Sequence, residues 1–434
     1  LLARVFFSPK VGKSESPKDE ENRKVRSWKS RKEKSDYVDK CYSQNPKASF
    51  GLFRLSDFRT KKRTTFEAMY LQQLSVINFK NYAEAGLTFS DGVNVFTGNN
   101  GAGKTNLLDA IHYLSLCKSY FNPIDSQQIK QGADFFIITG NFNKNGSNEA
   151  IACSVKRNQK KQFKRNKKDY QRLADHIGLF PLVMVSPYDI SIIIEGSEER
   201  RKFIDNVISQ TDNYYLDELI NYNKVLVNRN ALLKQIADTG RYDPALMEVY
   251  DEQLIASGAK IFEKRKTFMG SFTGIFDRHY SFLSDDAEEV ELCYESQLLT
   301  DDFAGLLKKN MERDRFLERT SAGIHKDDLL FTIHGMPMKK FGSQGQQKSF
   351  LIALKLAQYS FLYQQNGFKP ILLLDDIFDK LDDQRVTKLM QMISNHDFGQ
   401  VFITDTNVSR VKSIFNAIGV DINLFKVKGG EIDA

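Results

Sequence analysis

The sequence predicts an α/β protein in which a parallel sheet carries a glycine-rich loop and a short helical arm forms a second lobe. Three observations predict it. A buried strand, a glycine-rich turn and an amphipathic helix follow one another over residues 93–114. An aliphatic strand starting at Ile371 ends in two carboxylates, and a long stretch of helical periodicity, 197–283, lies between them. The 434 residues, 41% hydrophobic and 27% charged, suffice for a large domain with a substantial insertion. No apolar run approaches the roughly 18–20 residues of a membrane-spanning helix, so no membrane partner is expected.

Residues 1–68 stand apart. They hold 18 Lys and Arg against 9 Asp and Glu, with little apolar periodicity, which predicts a basic, disordered extension. The overall charge of +7 therefore belongs to this segment, because 69–434 holds 44 basic and 46 acidic residues. With Leu at position 1 and Met69 just ahead of the first strand-like pattern, Met69 is the expected initiator. The alternative is a basic arm adding non-specific affinity for a polyanion. Glu15, Asp19, Glu20 and Glu21 interrupt the basic run and argue against a transit peptide. Four cysteines without C-x-x-C spacing and six scattered histidines leave no readable zinc site or disulfide framework, as suits a reducing, cytoplasmic setting.

From Met69 the elements come in order. Leu71–Asn78 and Gly86–Phe89 read as strands, and Val93–Phe96 as a short buried one. Gly98, Asn99, Asn100, Gly101, Ala102, Gly103, Lys104 and Thr105 follow, matching the phosphate-binding loop G-x-x-x-x-G-K-[ST]. The loop must wrap closely around phosphate oxygens, through backbone angles that a Cβ disfavours, and its N–H groups add to the positive end of the next helix. Lys104 is expected to neutralise the β- and γ-phosphates of ATP, and the Thr105 hydroxyl to ligate Mg²⁺. Leu107, Leu108, Ile111 and Leu114 mark one apolar face of that helix.

The second half selects among nucleotide-binding classes. Ile371–Leu374 is a strand suited to burial on both faces, and it ends in Asp375 and Asp376, the Walker B pattern. Asp375 is expected to hold Mg²⁺, and Asp376 to orient or deprotonate the attacking water. Upstream, Ser343, Gly345 and Gln346 lie in a Ser-x-Gly-Gln box that opens a helix, the signature of ABC-type ATPases. In such heads the box serves the partner's nucleotide, which predicts an ATP-sandwiched homodimer. Asp379–Asp382 stands where the interface-crossing D-loop is expected. After the strand Gln400–Ile403, no histidine occupies the switch position, so γ-phosphate sensing falls to Thr404, Asp405 or Thr406.

These residues together resemble the RecF family of ABC/SMC-like ATPases. Further matching segments are Asn78–Tyr82, Pro181–Asp189, Gly196–Asp205, Tyr222–Lys234, Ser321–Asp328 and Phe341–Ser349, so the resemblance spans 69–434. Ile324 and Lys326 depart from it, standing where a Gly-Pro-His-Arg-Asp-Asp pattern has Pro and Arg. The resemblance implies an ATPase head split into 69–196 and 284–434, with 197–283 as a helical arm far shorter than the coiled coils of SMC and RecN. It implies Lys80 near the adenosine or the phosphates. It also implies an ATP-closed dimer on single-stranded, gapped or duplex DNA and cooperation with RecR and RecO to load RecA, with links to repair, replication and the SOS response. Because Asp376 is one methylene shorter than the Glu common at that position, slow, timer-like hydrolysis is expected. The rival classes are another ABC-type head and a scaffold in which ATP only locks the dimer.

For DNA contact the local evidence is a run of eight cations among thirteen residues: Lys156, Arg157, Lys160, Lys161, Lys164, Arg165, Lys167 and Lys168. It reads either as a solvated hairpin or as a ribbon contacting phosphates without base identity. Arg200 and Arg201 form a second candidate, or else pair with carboxylates.

Overall fold

The computed structural model describes residues 69–433 apart from 286–287 and 379–382. The expected extension, 1–68, and the D-loop at Asp379–Asp382 lie outside the described residues.

Two large sheets organise the protein. The first is antiparallel and comprises β1 (Met69–Phe79), β2 (Tyr82–Thr88), β4 (Phe135–Lys144), β5 (Ser147–Lys156), β6 (Gln162–Arg165) and β7 (Lys168–Asp169), in the order β2-β1-β4-β5-β6-β7. One face is buried, as alternation requires, but the alternation in β1 breaks. Met69 and Leu71 point inward, and so do Leu74 and Val76, because a register shift against β4 between Leu71 and Gln73 moves the inward positions by one.

The second sheet comprises β3 (Val93–Thr97), β8 (Leu182–Val185), β12 (Ile371–Leu374), β13 (Val401–Asp405), β14 (Ile422–Lys428) and β15 (Glu431–Asp433), in the order β15-β14-β3-β13-β12-β8. Only the β14–β15 pair is antiparallel. Strands β8 and β12 are apolar throughout, and every residue of β3 and β13 is buried, because both faces are covered. Phe96, Leu182, Met184, Leu373 and Phe402 meet helix α1 (Lys104–Leu116) and the first sheet. Val95, Val183, Leu372, Leu374 and Ile403 face the core on the other side.

The expected arm consists of α2 (Ser197–Ser209), α3 (Asn213–Thr239) and α4 (Pro244–Ser284), joined by α5 (Phe303–Leu317) from beyond the predicted stretch. Asp212 and Asp243 cap α3 and α4, while Gly240, at φ 68°, closes α3. Two fully buried arginines hold the arm to the segment after α5. Arg229 donates to Asp251 at 2.6 Å, Asp314 at 2.8 Å and Thr320 at 2.9 Å. Arg265 donates to Asp327 at 2.7 Å and Asp205 at 2.8 Å. Each guanidinium meets two carboxylates, the pairing that buried charge demands. A small sheet of β9 (Val290–Glu295), β10 (Asp328–Ile333) and β11 (Met336–Pro337) leads to the long helix α6 (Gln344–Asn366), and α7 (Asp383–Ser394) and α8 (Val408–Ala417) complete the fold.

Candidate functional site

The glycine loop leaves β3 at Gly98 and enters α1 at Lys104. Gly98 needs to be glycine for two reasons: its φ is 156°, and a Cβ would lie 2.2 Å from the Val427 carbonyl oxygen on β14. Gly103, at φ 117°, would drive a Cβ to 2.5 Å from Asn81 Nδ2 and 2.8 Å from Tyr82 Oη. Those two side chains brace the loop, Asn81 donating to the Ala102 carbonyl at 3.1 Å and Tyr82 to that of Gly103 at 3.0 Å. Gly98 N–H also donates to the Asp405 carbonyl at 3.3 Å, tying the loop to β13. Lys104 donates to the carbonyls of Gly98 and Asn99, at 2.7 and 3.1 Å, so its ammonium lies over the loop. Backbone N–H groups, a lysine and a helix N-terminus fit a nucleotide polyphosphate.

Although 270 residues separate them in sequence, Thr105 Oγ1 donates to Asp375 Oδ1 at 2.8 Å. A hydroxyl beside a carboxylate suits Mg²⁺, which takes few protein oxygens and completes its shell with phosphate and water. Among the described residues no cluster of three or more His, Cys, Asp or Glu offers a metal cage. Thr404, fully buried at the end of β13, connects both carboxylates. Its Oγ1 accepts from the Asp376 N–H at 2.8 Å, donates to Asp375 Oδ1 at 2.9 Å and lies 3.4 Å from Asp376 Oδ1. Asp376 is held at φ 46°, left-handed backbone that a non-glycine residue adopts only when its surroundings impose it. Burial pushes the Asp375 carboxyl above its ordinary range, opposed by the hydroxyls of Thr105 and Thr404. Asp405 turns away to Arg410 at 2.7 Å, and so among the three switch-position residues Thr404 reaches both carboxylates.

Lys80, expected near the nucleotide, is engaged by α1. Its ammonium is 2.6 Å from buried Asp109 on α1 and lies over the Phe121 ring, 5.3 Å from the centroid. The residues of Asn78–Tyr82 that touch the loop are Asn81 and Tyr82, which sequence reasoning missed; the signal was a pair of hydrogen-bonding side chains beside the lysine. Ser343 caps α6 in a reciprocal box with Gln346: the Gln346 N–H donates to Ser343 Oγ at 3.2 Å, and Ser343 N–H to Gln346 Oε1 at 2.7 Å. Both Ser343 and the backbone at Gly345 lie toward solvent at the helix end. A buried pair, Lys355 of α6 with Asp189 at 2.7 Å, fastens this helix to the segment after β8.

The basic run forms the β5–β6–β7 edge of the first sheet, as a ribbon reading requires, but its cations differ. Lys161, expected as a phosphate contact, is turned inward, donating to the Cys117 carbonyl at 2.6 Å and pairing with Asp125 at 2.9 Å. Arg165 is committed to Glu149 through two bonds of 2.9 and 2.7 Å, and Lys164 is 3.6 Å from Asp169. Arg157 donates to the Ala133 carbonyl at 3.3 Å. Lys156, Lys160, Lys167 and Lys168 stay exposed. Arg200 grips Asp328 through two bonds of 2.6 and 2.9 Å, and is therefore a structural clamp.

A strand–loop–helix phosphate cradle, a carboxylate pair bridged by one hydroxyl and a serine-capped helix define an ABC-type ATPase head. A family model described as the RecF/RecN/SMC N-terminal domain matches residues 70–427. The chain is 52% identical over 359 residues to the DNA replication and repair protein RecF of Flavobacterium johnsoniae, covering 83% of this chain and 100% of that one. For the protein of that name from Parabacteroides distasonis the identity is 51% over 364 residues, with 84% and 99% covered. A solved structure of the recombination mediator protein RecF with ATP in the RecFOR pathway superposes with a TM-score of 0.78 at 31% identity, covering 86% of this chain and 99% of that one. The Smc head of Pyrococcus furiosus, at TM-score 0.51 and 17% identity over 84% and 95% of the two chains, shares the fold. The chain belongs to the RecF family of SMC-like ATPases.

Proposed function

We propose that this protein is an ATP-dependent DNA-binding factor of recombinational repair and replication. It closes as a homodimer on single-stranded, gapped or junction DNA and helps load RecA together with RecR and RecO. The observation that carries the ATPase half is the contact between Thr105 and Asp375, which places the loop and the Walker B strand at one site, with Thr404 beneath both carboxylates. Bound ATP and Mg²⁺ supply the reactive phosphoanhydride and the charge that polarises it. Lys104 and the loop N–H groups hold the phosphates, Thr105 and Asp375 provide the metal oxygens, and Asp376 orients water. Ser343, Gly345 and Gln346, at the solvent-facing end of α6, cap the partner's γ-phosphate. The DNA half rests on the relatives named as DNA replication and repair proteins and on the exposed ribbon lysines. Hydrolysis is slow and times release.

The test is light scattering and DNA binding of the full chain with and without ATP. ATP should drive dimerisation and tighten DNA binding, and Ser343→Arg should abolish the dimer while sparing ATP affinity. ATP-driven dimers surviving in Ser343→Arg would overturn the trans-signature reading. Unchanged single-turnover hydrolysis in Asp376→Asn would favour the scaffold.

A further inference from the structure

Four cations gather where the arm meets the segment after α5, away from the ribbon's strands. Backbone geometry brings them together. Arg319 N–H donates to the Asp314 carbonyl at 3.1 Å, returning residue 319 beside Arg313. His325 Nε2 lies 3.1 Å from the Thr320 carbonyl, which sets Lys326 next to Arg319. Arg201 Nη1 donates to the Asp327 carbonyl at 2.7 Å and closes the group from α2. Arg313, Arg319 and Lys326 are exposed and Arg201 is half-buried.

Cations nearby on the arm meet carboxylates: Lys260 pairs with Glu218, Lys264 with Asp212, and Lys202 with Glu198 and Glu199. The acids nearest the four are already engaged, Asp314 by Arg229, Asp327 by Arg265 and Asp328 by Arg200. Partial burial, and then the like charges of Arg319 and Arg201, hold the Lys326 ammonium below its ordinary range. Asp314, Asp327 and Asp328 offset these charges only in part, because each is shared with another cation, and a bound polyanion removes the like-charge repulsion that is left. Beside them stands Phe316, 86% exposed on the last turn of α5, a ring next to cations as in surfaces that receive nucleic acid.

We propose that Arg201, Arg313, Arg319 and Lys326 form a second nucleic-acid contact, gripping the phosphodiester backbone at the base of the arm. The inference rests on the DNA reading above and adds a site to it. Arginine forks suit phosphate geometry, and the contact carries no base identity.

The test is a salt series with the full chain, ATP and Mg²⁺ on single-stranded and duplex oligonucleotides. Lys326→Ala alone should flatten the log–log slope of affinity against salt by about one, and Arg313→Ala/Arg319→Ala/Lys326→Ala by roughly two to three. The triple variant should also bind at least about tenfold more weakly near 0.1 M salt. Phe316→Ala weakening single-stranded DNA alone would assign the strand form to which the ring contributes. A Lys160→Ala/Lys167→Ala/Lys168→Ala variant runs in parallel. If the ribbon variant loses affinity while the arm variants match the wild type, the arm site is refuted and DNA binding stands. If the wild type shows no salt-dependent DNA affinity, both readings fall.

Discussion

Replacing Thr404 by valine isolates the bridge between the two carboxylates. Valine keeps the shape and burial of threonine but removes one hydroxyl. That hydroxyl accepts from the Asp376 N–H at 2.8 Å and donates to Asp375 at 2.9 Å. Leaving the amide without a partner costs about 1–3 kcal/mol, and losing a donor to a carboxylate about 1.5–3 kcal/mol. Together these set an expected stability loss of roughly 2.5–6 kcal/mol. The larger effect is positional. Asp376 sits at φ 46° with its amide on Thr404, and without that tether the backbone loses the contact that holds it left-handed. Misplacing a reacting group by about 1 Å costs on the order of a hundredfold in rate. The assay is steady-state ATP hydrolysis beside nucleotide affinity measured in EDTA and in Mg²⁺. Thr404→Val should lower kcat about 10- to 100-fold while ATP affinity in EDTA stays within about threefold, and Thr404→Ser should restore most of the rate. Wild-type turnover in Thr404→Val would refute the bridge.

Three further outcomes are expected. Gly98→Ala should abolish nucleotide binding because its Cβ meets Val427 backbone at 2.2 Å, whereas Gly101→Ala, at φ 77° in open space, should cost only about 1–2 kcal/mol in urea melts. Arg229→Met should destabilise by about 3–5 kcal/mol by leaving Asp314 buried and unpaired, and Asp314→Leu in the same chain should recover much of it, as a double-mutant cycle would read. Burial pushes His112 and His176 down to about 4, so the unfolded chain binds more protons between that value and the ordinary 6.5. Stability is then full above about pH 6.5 and falls as pH drops toward 4, and His176→Gln should flatten that slope in urea melts by up to one proton.

What was legible in the sequence follows from how local each feature is. Residues 98–105 and 371–376 carry their chemistry in short runs, so motif reading picked out the two segments that the fold brings together at Thr105 and Asp375. The arm was legible because its apolar positions repeat over many turns. Partners distant along the chain left no local trace. Arg200 finds Asp328 far along the chain, so its clamp does not show in residues 197–205. Lys161 looks like its neighbours in the basic run, but a pocket made by Asp125 and the Cys117 carbonyl takes it inward. The register shift in β1 likewise hid the strand's true length, and β2 begins at Tyr82, earlier than its apolar residues suggested.

The order of the parallel sheet bears on how the protein is made. β3, which launches the phosphate loop, pairs on one side with β13 and on the other with β14. Both neighbours come from residues 401–428, near the end of the chain. As the polypeptide emerges from the ribosome, the arm hairpin can close on local contacts, but β3 keeps two bare edges until residues 401–428 have emerged. The Gln400 side chain, which hydrogen-bonds both backbone groups of Leu71 at 2.8 Å, latches the first strand only then. A polypeptide stopped before residue 400 would contain every residue of the glycine loop without the fold that shapes it. The loop therefore takes its shape only once residues 401–428 have joined the sheet.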